Sequence, residues 1–449
     1  MSLRFGTDGV RGVANAELTP ELTLALGRAA ARVLEGGTFF VGRDTRISGP
    51  LLQAALTAGL TAEGADVVDL GVLPTPGVAW FSVAENRPGA VISASHNSYS
   101  DNGVKFFAAG GRKLTDEIEA RLESELDDLL VGRGSRPVPT GPGVGRVAVR
   151  SDAEPYVQSL LATVEPGDFG GLGVVLDCAN GAASGIAPDV FRRLGAQIEV
   201  LHAEPDGLNI NQSSGSTYPQ DLQRAVMESG ADLGLAFDGD ADRVLAVDHA
   251  GRLVDGDQLL ALCAVDAQQR GALRGGTVVV TVMANLGFRE AMERHGIEIA
   301  ETAVGDRYVL EALEKGGWSL GGEQSGHIIF RDLATTGDGI LTGLQVLDVV
   351  RRSGRSLADL ASVMTRRPQV LRNVRVARRG LDGAEPLWAE VRAVQDRLGR
   401  GGRVLIRPSG TEAVVRVMVE APTAEAAEEA CTILCAAVVR SLGEATERS

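Results

Sequence analysis

Cysteine is scarce. Cys178, Cys263, Cys431 and Cys435 are the full complement of 449 residues, and they make neither a CxxC pair nor a Cys/His cluster. A zinc module and a disulfide framework are therefore not expected. Cys431 and Cys435 lie four apart in an Ala-rich helical pattern, which suits buried packing. Aromatic residues are only 4% of the chain while glycine reaches 57, a profile of a large α/β enzyme and not of a fibre or a disordered scaffold. Positive charge is in deficit: 44 Lys and Arg face 59 Asp and Glu, a formal net charge of −15. That argues against nucleic acid or an anionic membrane as partner. It leaves room for an anionic small molecule, since a few Arg and Lys can make one cleft locally positive. No apolar run approaches the roughly 20 residues of a membrane span, and the first residues carry no basic and apolar leader. A cytoplasmic protein is expected.

A chain of this length should divide into several cores. One unit occurs three times. It runs through Thr38-Phe-Phe-Val-Gly-Arg-Asp44, an amphipathic stretch, then Gly64-Ala-Asp-Val-Val68. It recurs from Leu172-Gly-Val-Val-Leu-Asp177 to Gly195-Ala-Gln-Ile-Glu-Val200, and from Thr277-Val-Val-Val-Thr281 to Gly296-Ile-Glu-Ile299. Each reads strand, polar loop, helix, glycine exit, strand. The C-terminal segment reads strand, helix, strand, strand, helix. The fold class is therefore α/β: three related α/β domains with mixed sheets plus a C-terminal α+β domain. Boundaries at 1–150, 151–253, 254–367 and 368–449 follow from the Gly/Pro-rich stretches and changes of pattern.

The loops carry the chemistry. Ala90-Val-Ile92 has the length of a buried strand and ends in Ser93, Ser95, His96 and Asn97, reactive groups where α/β sheets present ligands. Asp238-Gly-Asp-Ala-Asp-Arg243 follows a second apolar run. Its three carboxylates repel one another unless a hard divalent cation, Mg²⁺ or Ca²⁺, lies among them. An EF-hand is excluded, because its sixth position would be Arg243 and its twelfth His249. Arg243 suits a phosphoryl group beside the metal. Gly321-Gly-Glu-Gln-Ser-Gly-His327 sets Glu323 and Ser325 to grip sugar hydroxyls or an amino group, with His327 for a proton or phosphate. Arg407-Pro-Ser-Gly-Thr411, with Arg416 beyond it, is a phosphate cradle without the Walker spacing. Arg11 sits in a glycine-rich setting suited to a phosphate. Lys105 follows a turn signal in Asp101-Asn-Gly and is a candidate acid/base or an edge lysine. Arg43-Asp-Thr-Arg46 reads as a structural ion-pair turn.

With these loops in order, the sequence resembles the α-D-phosphohexomutase superfamily over nearly its whole length. Phe5-Gly-Thr-Asp-Gly-Val-Arg-Gly12 and the Gly-Glu-Gln-Ser-Gly-His loop look like its glucosamine branch. The resemblance implies domains around a central cleft, one Mg²⁺ per chain, and interconversion of glucosamine 6-phosphate and glucosamine 1-phosphate through a phosphorylated Ser95 and a 1,6-bisphosphate. A hexosamine or glucose 1,6-bisphosphate would prime the serine, and a homodimer is compatible with the family. It implies that Ser95, Asp238, Asp240 and Asp242 bind the metal, and that Glu323 and Ser325 contact the sugar. Arg407, Ser409, Gly410, Thr411 and Arg416 would hold the phosphate that is not reacting. Arg11, Lys105, Arg243 and His327 would lie near the reacting groups, with Lys105 or His327 as the base. Two positions depart from the family pattern: Ser98 and Ala413 stand where proline is usual, which puts loop rigidity in doubt. A phosphomannomutase or phosphoglucomutase, a phosphatase using Ser95 and a sugar-phosphate sensor are the competing readings.

Overall fold

The computed structural model describes residues 9–34, 37–133, 136–377, 380–381, 384–408 and 413–443. Two compact units emerge, one of Met1–Met283 with Gly296–Val363, the other of Ala284–His295 with Met364–Ser449.

The first unit holds three sheets built on one plan. Thr38–Arg43, Gly173–Asp177 and Thr277–Thr281 are the central strands. Each has a parallel strand on either side: Asp66–Val72 and Gly89–Ile92, Gln197–Leu201 and Leu233–Phe237, Glu298–Thr302 and Leu320–Gly322. The last of each trio then pairs with an antiparallel strand: Asp101–Phe107, Val244–Asp248 and Ile328–Phe330 respectively. The first sheet gains Val10–Val13 and Val147–Val149 at its edges, the second Leu253–Val254. The repeat expected from sequence is thus present three times. Its physical basis is plain: every residue of Thr277-Val-Val-Val-Thr281 is buried, as suits a β-branched strand covered on both faces. Gly64, Gly195 and Gly296 leave the intervening helices with φ of 87°, 93° and 65°, a left-handed exit that other residues resist.

The plan fixes where the loops lie. Residues 93–100, 238–243 and 323–327 each connect the third parallel strand to the antiparallel one, so all three leave the carboxyl end of a parallel strand.

One expectation needs correction. Asp101-Asn-Gly is not a turn before the strand but the start of it, and Asp101–Phe107 lies between Val10–Val13 and Gly89–Ile92. Lys105 is therefore not an edge lysine; it is 3% exposed.

The second unit is an antiparallel sheet ordered Gln369–Arg375, Val414–Glu420, Arg403–Pro408, with helices Glu385–Leu398 and Ala424–Leu442. Val415, Val417 and Val419 alternate onto a core with Leu387, Leu434 and Val438. Cys431 is buried there with its Sγ 4.0 Å from that of Cys435. All four cysteines are free thiols.

Candidate active site

Ser95 is 1% exposed and has a φ of 51°, in the left-handed region. A non-glycine residue there costs about 1–3 kcal/mol, so the surroundings must hold it. Its backbone N–H donates to Ser93 Oγ at 2.9 Å, and that hydroxyl donates to Asp44 Oδ2 at 2.7 Å. Its own Oγ donates to Asp238 Oδ2 at 2.6 Å and lies 3.3 Å from His96 Nδ1. The serine of the first sheet and the acidic loop of the second are thereby in direct contact.

Asp238, Asp240 and Asp242 are all buried, with one oxygen of each within 4.8 Å of the others. Lys105 Nζ lies 2.7 Å from Asp240 Oδ2 and 3.6 Å from Asp242 Oδ2. Arg243 Nε is 3.6 Å from Asp242 Oδ1. Burial, with repulsion from Asp242 and Asp240, pushes the Asp238 carboxyl well above the usual range. Burial, and at Asp240 repulsion from Asp242, act to raise Asp240 and Asp242, but Lys105 and the Thr75 hydroxyl together lower Asp240, and Lys105, helped by His327 and Arg243, drives Asp242 well below. Asp240 Oδ1 is buried with no hydrogen-bond donor among the described residues. Hard oxygens this close, one of them unsatisfied, fit a divalent cation such as Mg²⁺.

His327 is 2% exposed. Its Nδ1 is 3.7 Å from Asp242 Oδ2, its Nε2 3.3 Å from Asp306 Oδ2, and Gly337 N–H donates to Nε2 at 3.0 Å. In the neutral ring that backbone donor leaves the proton on Nδ1, facing Asp242. Burial acts to lower the His327 pKa, but Asp306 and Asp242 overcome it and raise it. Lys113 pairs with the same Asp306. Glu323 Oε1 accepts from Gly305 N–H at 3.2 Å, and burial raises its carboxyl. Ser325 is exposed.

Arg11 lies on Val10–Val13, opposite Gly103. Burial, with the Arg243 and Arg11 guanidiniums, lowers His96 to about 4, so its imidazole is neutral at physiological pH. In the second unit Arg407 and Arg416 stand directly opposite on paired strands. Burial and the like charge of Arg416 lower the Arg407 pKa. Like charges so placed destabilise a sheet unless an anion joins them. Ser409, Gly410 and Thr411 lie outside the described residues, as does the start of the Phe5 to Gly12 motif.

Four domain profiles match in order: phosphoglucomutase/phosphomannomutase alpha/beta/alpha domain I at residues 2–130, domain II at 154–251, domain III at 255–367, and the C-terminal domain at 371–436. The chain is 54% identical over 438 residues to a phosphoglucosamine mutase of Rhodococcus jostii, covering 96% of this chain and 97% of that one. The chain belongs to the phosphoglucomutase/phosphomannomutase family. Among solved structures, a phosphoglucomutase/phosphomannomutase family protein from Burkholderia thailandensis superposes with TM-score 0.81 at 25% identity, over 97% of both chains. The N-acetylphosphoglucosamine mutase of Aspergillus fumigatus, solved with GlcNAc-6P and magnesium, shares the fold with TM-score 0.70 at 22% identity, over 98% of this chain and 96% of that one.

Of the further groups that the phosphoglucomutase/phosphomannomutase site gathers, Thr75 and Asn211 were not singled out from sequence, and His96 was read only as a reactive group at the strand end. Thr75 Oγ1 donates to Asp240 Oδ2 at 2.7 Å. His96 Nδ1 is 3.2 Å from Arg243 Nη1 as well as near Ser95. Asn211 Nδ2 and Arg46 Nη2 both reach carbonyls of the serine loop. For Arg46 the sequence signal was partial: Asp44 and Arg46 do form the expected ion pair, at 2.9 Å, but Arg46 also reaches beyond it.

Proposed function

We infer that the chain interconverts glucosamine 6-phosphate and glucosamine 1-phosphate, with Ser95 carrying the phosphoryl group between turnovers. One observation carries the reading: Ser95 Oγ hydrogen-bonds at 2.6 Å to a buried carboxylate of the Asp238, Asp240, Asp242 cluster. A serine ester of phosphoric acid brings about −1.5 to −2 charge. Beside three carboxylates it is tolerable only with compensating cations.

Asp238, Asp240, Asp242 and the phosphorylated Ser95 are the proposed ligands of one Mg²⁺. When bound, the ion supplies Lewis-acid charge neutralisation to the phosphoryl oxygens. Phosphorylated Ser95 yields its phosphoryl group to a sugar hydroxyl: the P–Oγ bond breaks, a P–O bond to the sugar forms, and the hydroxyl proton is passed on to Ser95 Oγ. The product is the 1,6-bisphosphate, which turns over and returns its other phosphoryl group to Ser95. Arg243 and Arg11 balance charge on the group in flight. Lys105 is the proposed proton carrier. His327 is less suited, because Nε2 accepts from Gly337 N–H and the other nitrogen faces Asp242. Glu323 is proposed to take the sugar's amino group and Ser325 a hydroxyl. Arg407, Ser409, Gly410, Thr411 and Arg416 are proposed to hold the phosphate that is not reacting. A hexosamine or glucose 1,6-bisphosphate primes the serine. GlcNAc-6P and magnesium in the Aspergillus fumigatus relative support the choice of phosphosugar and cation. We place the reaction in the cytoplasm, in keeping with four reduced cysteines.

Turnover of glucosamine 6-phosphate should exceed that of glucose 6-phosphate and mannose 6-phosphate. A clear preference for either neutral sugar overturns the substrate, and steady release of free phosphate overturns the mutase in favour of a phosphatase.

A further inference from the structure

Two side chains far apart in sequence hold the serine loop from behind. Arg46 Nη2 donates to the carbonyls of Ser95 and Asn97, both at 2.9 Å. Asn211 Nδ2 donates to the same two carbonyls, again at 2.9 Å each. Two nitrogens and two oxygens thus close a four-bond ring, and both hydrogens of the Asn211 amide are used in it. Arg46 Nη1 also donates to the carbonyls of Ser98 and Asp101, the second at 3.0 Å, while its Nε pairs with Asp44. Arg46 is 1% exposed and Asn211 6%, so water cannot replace either donor.

The two clamps come from different domains. Arg46 follows Thr38–Arg43, the central strand of the first sheet. Asn211 belongs to the segment before the helix Gln220–Ser229 of the second sheet's domain, with its own N–H held by Ala179 O at 2.9 Å. The acidic loop is packed against the same ring: a Cβ at Gly239 would meet Ser95 O at 2.6 Å and Asn211 Nδ2 at 2.8 Å. Asn211 therefore touches the serine loop and the acidic loop at once.

We propose that Arg46 and Asn211 are positioning residues for phosphoryl transfer. They turn the Ser95 and Asn97 carbonyls inward, hold Ser95 in its left-handed conformation, and thereby set Oγ against the carboxylates. The proposal rests on Ser95 being the phosphoryl carrier.

The test uses the full chain, primed with glucose 1,6-bisphosphate, in the variants Asn211→Asp, which keeps shape but loses the donors, and Arg46→Lys, which keeps charge but loses the fork. Intact mass reads the phosphate on Ser95, kinetics read kcat and KM, and a phosphate assay reads loss to water. Both variants should still accept phosphate and keep KM, while kcat falls on the order of 10²-fold, as misplacement by about an ångström does. Free phosphate released per isomerisation should rise. Thr45→Val, which removes the nearby 2.6 Å bond from Thr45 Oγ1 to Asn180 O, should lower the thermal midpoint and leave kcat and the phosphate yield at wild-type values. Wild-type kcat and yield in a folded Asn211→Asp or Arg46→Lys chain overturn the proposal, and so does an equal loss in Thr45→Val. A wild-type chain that never carries phosphate on Ser95 contradicts the carrier reading instead.

Discussion

Arg407 shows how much a single residue's setting can say. Two guanidiniums directly opposite on paired strands repel. The proposed phosphate site would relieve that repulsion. Arg407→Ala should raise KM for the sugar phosphate about tenfold or more, about 1.4 kcal/mol of binding, without lowering the thermal midpoint. A lowered midpoint with unchanged KM would assign Arg407 to stability instead. The thiols give a second residue-scale test. Burial raises Cys263 and Cys431 to about 12 and Cys178 also upward, whereas Cys435 is half-buried. A disulfide reagent at about pH 8 should titrate Cys435 in the folded chain and the other three only after denaturation. Rapid modification of Cys178 or Cys263 in folded protein contradicts their burial.

At the scale of elements, the helix Gly339–Ser353 begins at Asp338, whose Oδ1 accepts from Leu341 N–H at 2.9 Å and whose Oδ2 accepts from Tyr156 Oη–H at 2.8 Å. Burial raises the Asp338 carboxyl to about 6, against the pull of those donors. A carboxyl whose folded pKa is raised contributes stability below its unfolded pKa of about 4 and loses it as pH rises through about 6. Asp338→Asn keeps an acceptor for the helix cap and carries no charge. Relative to wild type its thermal midpoint should therefore improve between about pH 5 and about pH 7.5; a constant difference across that range contradicts the burial argument. Elements such as these were unevenly legible. The three strand–helix–strand units announced themselves, because β-branched runs and glycine exits are local signals. The start of the Lys105 strand was misread because Asp101-Asn-Gly has the composition of a turn. Gly103 is there for room: a Cβ would sit 2.6 Å from Ser93 O and 2.9 Å from Arg11 Cγ. Arg46 and Asn211 gave no signal for their contacts, since carbonyls 49 and 116 positions away are joined to them only by tertiary folding.

For the whole molecule, the recurrence of one sheet plan is what assembles the site. Three equivalent loops, each leaving the carboxyl end of a parallel strand, bring the serine, the carboxylates and the Glu323 loop into the first unit. The cost is a cluster of buried acids, which a bound cation would relieve. Adding Mg²⁺ to chelator-treated protein should raise the thermal midpoint, with about 2.7 kcal/mol expected at a hundred times its Kd; an unmoved midpoint would argue against a cation at the Asp238 cluster. The central claim is that one serine oxygen stores the phosphoryl group. Intact mass and glucosamine phosphate isomerisation, measured together on wild type and Ser95→Ala after priming with bisphosphate, test it most directly. Wild type should gain a single phosphate and isomerise, while Ser95→Ala gains none and is inactive. Isomerisation at the wild-type rate by Ser95→Ala would contradict the account.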